Sequence, residues 1–235
     1  MSVLFGNSPG SYGYVPYNTL LNTLTNAISI CCWCNCTTLN AAGEMIINRQ
    51  VAATPGNEWW SLNTYNNVPR ALIGNGTSVT AVSDPTAITA NTWYHLTMTF
   101  DGTNIVLYTN GIQVGTGTRT MTFSSDTTGV VIGANAQGAG DTSITEFFQG
   151  YIEDIRVYNK VLTVNEILTI MNCGGRDYIY QGLIFRYLLN EKSTGTTASG
   201  AGSFVDSGMY GLHATPNGSC VYGDSRLLIR QPSIL

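Results

Sequence analysis

Along most of the chain, apolar and polar residues alternate in short runs bounded by Gly, Asn and Asp, the pattern of half-buried strands joined by tight turns. The run Trp93-Tyr94-His95-Leu96-Thr97-Met98-Thr99-Phe100 alternates in this way. Asp101-Gly102 ends it, Ile105-Val106-Leu107-Tyr108-Thr109 follows, Asn110-Gly111 turns the chain again, and Ile112-Gln113-Val114 completes a β-meander. Asp-Gly and Asn-Gly suit two-residue hairpin turns because both central positions need positive φ. Residues 130–133 read as a short strand and 134–146 as a polar, Gly-rich loop. Residues 147–158 read as one long strand, with Ile152, Asp154, Arg156 and Tyr158 on one face and Tyr151, Glu153, Ile155 and Val157 on the other.

One helix interrupts this pattern. Thr163 and Glu166 have capping-box spacing, Ile167, Leu168, Ile170 and Met171 form an apolar stripe, and Gly174-Gly175 stops the helix. It is short, and is expected to plug one end of a sandwich. Strand character resumes over 178–189, residues 190–203 read as a loop, and 226–230 read either as a last strand or as an arm onto a neighbour. There is no internal repeat.

Six cysteines change the picture little. Residues 28–34 read as a strand, so Cys32, Cys34 and Cys36 share one face while Cys31 and Trp33 share the other. A zinc site needs a second pair of ligands at close spacing, and Cys173 and Cys220 stand apart. The expected state is buried, reduced thiols that pack as small hydrophobes, with a metal or disulfide role as the alternative.

Composition narrows the class. The 235 residues fit one large all-β domain or two small ones, and 43% hydrophobic residues suffice to fill a core. Only 10% of residues are charged, against about 25% in an average soluble protein. Lys and Arg number 10 and are scattered, and the net charge is −4. Phosphate binding needs clustered cations, so neither nucleic acid nor an anionic membrane is an expected partner. The N-terminus lacks a cationic start and an apolar run of signal-peptide length, and no apolar stretch is long enough to span a bilayer. The acceptor sequences at Asn35, Asn75 and Asn217 are then expected to go unused.

Several segments together resemble one family. W-Y-H-L-T-M-T-F-D-G at 93–102 and L-Y-T-N-G-I-Q-V-G at 107–115 resemble the central hairpins of concanavalin A-like, laminin-G-like domains. F-F-Q-G-Y-I-E-D-I-R-V-Y-N-K-V-L-T-V-N-E-I at 147–167 resembles that family's closing strand and helix, and V-L-F-G at 3–6, Y-V-P-Y at 14–17 and I-C-C-W at 30–33 resemble its early strands. The resemblance implies an all-β, two-sheet antiparallel jelly-roll sandwich with one short helix. The family's opening strand and its D-S-G loop are displaced here. Their likeness, G-L-I-F-R-Y-L-L-N-E-K-S-T-G-T at 182–196 and V-D-S-G-M-Y-G-L at 205–212, lies near the C-terminus. The expected organisation is therefore a single domain over 1–235, circularly permuted. Residues 1–172 form the main sandwich, and 178–235 supply the opening strand and a tail. The rival is a strand exchanged with a sister subunit.

Catalytic constellations are missing. The laminarinase-like relatives of this fold carry E-x-D-x-x-E on one strand, and that motif is absent; the adjacent acids Glu153 and Asp154 would point to opposite faces. His95 sits beside Trp93 and Tyr94 in the family's W-x-H position, where a packing role is expected. The chain is accordingly read as non-enzymatic. The resemblance implies Ca²⁺ between the opening loop and the closing strand, which would fall to Asp206 with Glu153 or Asp154; the alternative is a hydrogen-bonding loop anchor. Trp59, Trp60, Tyr65 and Asn66, near Asn63 and Asn67, form a candidate glycan site, against the reading of Glu58–Leu62 as an ordinary strand with one Trp buried. Two functions follow as expectations. The first is a virion surface protein, a capsid decoration or fibre component working as a homo-oligomer among other structural proteins. The second is a carbohydrate-binding lectin or adhesion module outside the cell.

Overall fold

The computed structural model describes residues 1–6, 10–52, 54–136 and 144–224, with the side chains of 54–57 excepted. The segment read as a last strand or arm, 226–230, lies outside the described residues. In chain order the strands begin with β1 Ser2–Phe5, β2 Tyr12–Val15, β3 Ile28–Cys36, β4 Glu44–Val51 and β5 Thr54–Tyr65. Next come β6 Val68–Gly74, β7 Val79–Ser83, β8 Tyr94–Phe100, β9 Asn104–Thr109 and β10 Ile112–Thr118. Then follow β11 Val130–Ile132, β12 Gly150–Tyr158, helix α1 Val164–Asn172, β13 Leu183–Tyr187, β14 Thr215–Asn217 and β15 Val221–Gly223.

These strands make two antiparallel sheets that enclose one core, the expected jelly-roll sandwich. One sheet runs β10-β9-β8-β3-β12-β1-β15, with β13 also on β12; the other runs β14-β2-β11-β4-β5-β6-β7. Cys32, Cys34 and Cys36 of β3 and Leu96, Met98 and Phe100 of β8 face Trp60 and Leu62 of β5 and Ala71 and Ile73 of β6 in this core. All six cysteines are free and all but Cys173 are buried. Burial pushes the Cys31 and Cys220 thiols up to about 12, so neither is a nucleophile near neutral pH.

The long strand β12 departs from simple alternation. Glu153 pairs with Trp33 and Arg156 with Cys31, so Asp154 and Ile155 together oppose Cys32. This is a β-bulge, and Asp154 adopts a left-handed φ of 48° that short polar side chains tolerate. The extra residue resets the faces: Ile152 joins Ile155 and Val157 in the core, whereas Tyr158 packs on the opposite side. The expected grouping of Ile152 with Asp154, Arg156 and Tyr158 is thereby corrected.

Behind the bulge lies a buried ion cluster. Arg156 Nε donates to Asp154 Oδ1 (2.9 Å), and its Nη1 and Nη2 donate to the two carboxylate oxygens of Asp177 (2.7 Å each). From β13, Arg186 Nε donates to Asp154 Oδ1 (2.9 Å) and Arg186 Nη2 to the Gly175 carbonyl (2.9 Å). Burial alone would raise the Asp154 carboxyl, but the guanidiniums of Arg156 and Arg186 hold it below the usual carboxylate range. The cluster balances two cations with two anions and ties together β12, β13 and the segment after α1.

The helix sits elsewhere than expected. Its capping box is present, with Thr163 and Glu166 each accepting from the other's backbone N–H. Ile167 and Ile170, however, pack with Cys31, Tyr108, Tyr158 and Leu183, side chains on the outer face of the eight-stranded sheet. The helix covers that face and does not plug an end, because the outward residues of β3, β9 and β12 are themselves apolar there. The C-terminal strands β13, β14 and β15 pair with β12, β2 and β1. Residues 178–180 are not strand, and β13 starts at Leu183.

Asp154→Asn keeps the left-handed preference but leaves two buried guanidiniums with one carboxylate. It should lower unfolding stability by about 3–5 kcal/mol in a denaturant titration; an unmoved midpoint would contradict the structural role given to the cluster. A second prediction concerns Glu44, buried beside Cys36, whose thiol hydrogen-bonds it, with Gln149 N also donating to it (3.3 Å). Burial raises its carboxyl from the ordinary 4.5 to about 7. Between those values the folded state holds a proton that the unfolded state has lost, so stability falls as pH rises through this window. Glu44→Gln should flatten the stability–pH profile between 4.5 and 7; an unchanged slope would show that Glu44 does not titrate there.

Candidate functional site

The central strands of the seven-stranded sheet carry an unusual outer face. Trp60, Leu62, Ala71 and Ile73 point into the core, so alternation places Ser61, Asn63 and Tyr65 of β5 and Arg70 of β6 outward. Register brings Asn48 opposite Ser61, Gln50 opposite Glu58, and Asn63 opposite Arg70. A solvent-facing sheet commonly shows polar residues, but here Asn48, Gln50, Glu58, Ser61 and Asn63 are buried. They form a polar floor beside the segment that links β11 to β12.

Hydrogen bonds pin part of that floor. Asn48 Nδ2 donates to the Ala134 carbonyl (2.6 Å), Gln50 Nε2 to Asn135 Oδ1, and Asn135 Nδ2 to Glu146 Oε2 (3.4 Å). Arg70 Nε donates to Asn63 Oδ1 (3.0 Å), and its guanidinium lies 4.5 Å from the ring centroid of Tyr65, a cation–π contact. Other groups are left over. Asn48 Oδ1 is buried with no hydrogen-bond partner among the described residues. Burial, reinforced by Glu146, raises the Glu58 carboxyl to about 7 against the opposing pull of Arg70. The face thus offers an amide acceptor, a carboxyl that titrates near neutrality, a guanidinium and an exposed aromatic edge (Tyr65, 42% exposed). Hydroxyl-rich ligands match such a mixture of donors and acceptors.

The residues singled out from sequence divide across the molecule. Trp59 and Trp60, expected to belong to an exposed glycan set, are both inside (7% and 0% exposed). The cause is a slip in pairing: Arg49 opposes Trp60 while Gln50 opposes Glu58, which leaves Trp59 as an extra residue. Its indole turns inward, donates to Asp126 Oδ2 (3.0 Å) and meets Phe123 edge-on. Tyr65 and Asn66 are exposed at the β5–β6 hairpin, where Asn66 and Asn67 take φ of 51° and 61° as a two-residue turn requires. Of the predicted glycan set, then, Tyr65 borders the polar floor through Arg70, Asn66 shapes the turn, and the two tryptophans are core. Sequence reading missed Arg70, Glu58 and Asn48, whose only signal was polarity at outward positions of β4, β5 and β6.

The acidic set does not converge either. Asp206 Oδ1 accepts from the backbone N–H of Arg186 (2.9 Å) and Gly208 (2.7 Å), and its Oδ2 from that of Leu212 (2.9 Å). That is a loop anchor, the alternative weighed for it. Asp154 is taken by Arg156 and Arg186, and Glu153 lies 3.5 Å from the N-terminal ammonium. Among the described residues no group of three or more His, Cys, Asp or Glu is placed to hold a metal ion. These carboxylates do not fit Ca²⁺, which needs several oxygens converging on one point. His95 is buried against the Trp33 ring at 5.0 Å between centroids. No described helix is long and apolar enough to cross a membrane.

Solved structures share this architecture. A putative carbohydrate binding protein from Bacteroides ovatus is 19% identical with a TM-score of 0.65, over 95% of this chain and 60% of that one. The chain therefore spans about three fifths of that protein's length. A native heptameric SAP-like pentraxin from Limulus polyphemus is 16% identical with a TM-score of 0.56, over 78% of this chain and 90% of that one. The binding domain of Paraclostridial Mosquitocidal Protein 1 is 14% identical with a TM-score of 0.55, over 73% of this chain and 42% of that one. At these identities the likeness is one of fold. No curated protein sequence matches the chain. The family model Laminin_G_3 matches residues 9–168, and the chain belongs to that family of the concanavalin A-like lectin/glucanases superfamily.

Proposed function

We infer that this protein is a carbohydrate-binding module that holds its ligand on the outer face of the seven-stranded sheet and does not cleave it. The observation that carries this reading is the buried polar floor, where Asn48 Oδ1 lacks a partner among the described residues and Arg70 stands between Asn63 and Tyr65. Membership of a lectin-like family, and a structural neighbour described as a putative carbohydrate binding protein, support the ligand class. Arg70 would donate to ring hydroxyls, Asn48 and Asn63 would accept from or donate to them, and Tyr65 would flank an apolar sugar face. A binding role outside the cell suits such a module. A virion decoration or fibre role is the second reading, supported by the low charge content alone. The segment β13–β15 reads as a circular permutation, since it adds strands to both sheets.

The test is a glycan array probed with the purified protein, combined with an assay for released reducing ends. Specific binding without cleavage is expected. Arg70→Ala and Asn63→Ala should each weaken it about tenfold or more, as loss of a hydrogen bond to a charged group costs about 1.5–3 kcal/mol. A blank array with folded protein, or binding indifferent to both substitutions, would refute the reading.

A further inference from the structure

A second cleft lies on the opposite side of the sandwich, on the outer face of the eight-stranded sheet. Its floor is one row of residues in register across four strands: Asn35 of β3 pairs with Tyr151 of β12, Tyr151 with Leu4 of β1, and Leu4 with Val221 of β15. Trp93, just before β8, walls one side, its ring 6.4 Å from that of Tyr151 and tilted by 40°. Thr194 and Asp224 wall the other, joined by a 2.9 Å hydrogen bond from Thr194 Oγ1 to Asp224 Oδ1. The cleft is open to solvent and has a volume of about 350 Å³.

Three features make this more than a surface dent. Two aromatic rings, neither fully buried, border the same space. Asn35 is only 8% exposed, yet its Oδ1 has no hydrogen-bond partner among the described residues. A buried amide acceptor left in this state is costly, and a hydroxyl donor entering the cleft would relieve it. Finally, the cleft depends on Gly223: a Cβ there would come within 2.3 Å of Tyr151 Cε1, so any side chain would press on the ring that forms the floor.

The lining also selects chemistry. Among the described residues it contains no Lys or Arg, and its one carboxylate there is Asp224, a lining that disfavours phosphates, sulfates and acidic sugars. Aromatic rings favour the apolar C–H face of a ring, and Asn, Thr and Asp supply acceptors and donors for hydroxyls around its rim. We propose that this cleft is a second saccharide site that stacks a neutral pyranose on Trp93 and Tyr151 and hydrogen-bonds its hydroxyls to Asn35, Thr194 and Asp224. The ligand class is shared with the function inferred above, but the site has no residue in common with the Arg70 face.

Tryptophan fluorescence reads this site directly, because Trp33, Trp59 and Trp60 are buried and Trp93 is not. The full chain is titrated with the methyl glycosides of glucose, galactose, mannose and N-acetylglucosamine up to about 10 mM. At least one should give a saturable change in emission. Tyr151→Ala and Gly223→Ala should weaken that response about tenfold or more, while Arg70→Ala leaves it unchanged. Thr194→Ala, an exposed change that spares the floor, should weaken it even if the other variants fold poorly. No saturable response to any of the four sugars would overturn the proposal. So would a response abolished by Arg70→Ala but untouched by Tyr151→Ala and Thr194→Ala. Array binding lost in Arg70→Ala with silent Trp93 leaves the first site standing and removes the second; a Trp93 response with a blank in the Arg70 test does the reverse.

Discussion

Asp154 occupies a left-handed conformation in the middle of the longest strand of the closing segment, and its carboxylate is shared by two buried guanidiniums. Positive φ is uncommon outside glycine and is tolerated by a short polar side chain such as Asp, and a buried Arg without a carboxylate carries a large desolvation cost. Together they lock one geometry: the bulge aims Asp154 outward, and Arg156 and Arg186 close around it from β12 and β13. Asp177 then fixes the chain after the helix. The result is that the C-terminal segment, the helix and the central sheet share one anchor.

That anchor also determines which side chains reach solvent. With the bulge at Asp154, Ile152 faces the core and Tyr151 faces out, next to Asn35 and Leu4. The aromatic cleft therefore follows from the placement of one extra residue, and its far wall is supplied by β15 and the 194–195 loop of the same C-terminal segment. The polar face on the other sheet has a separate origin. There a slip between β4 and β5 pulls Trp59 inward and leaves Glu58 beside Gln50, so the floor becomes polar exactly where two tryptophans looked available in the sequence.

Period-two alternation made the sandwich legible, and Asn110-Gly111 forms the expected two-residue turn, whereas at Asp101-Gly102 only the glycine has positive φ and Phe100 pairs with Ile105 across a longer loop. The faces of the cysteine strand were legible too, because β3 runs without a bulge from Ile28 to Trp33 against β8. What the sequence hid were one-residue irregularities. Alternation assigns faces only while pairing stays in register, and a bulge inverts every assignment beyond it. The inversions at Asp154 and Trp59 moved Ile152 and Trp59, while Trp60 is core by ordinary register with Ile73. The carboxylates expected to gather around Ca²⁺ were misjudged for a related reason: their partners, Arg156, Arg186 and the backbone of Gly208 and Leu212, come from pairings that spacing does not reveal.

The central claim is that recognition resides on the outer faces of the two sheets and not in the tryptophan-rich core. It is tested most directly by a ¹H–¹⁵N spectrum recorded while a glycan that binds the protein is added. The account predicts shifts of the Arg70 Nε–Hε or Trp93 indole signals, with the indoles of Trp33, Trp59 and Trp60 holding still. Shifts confined to Trp59 and Trp60 would contradict it.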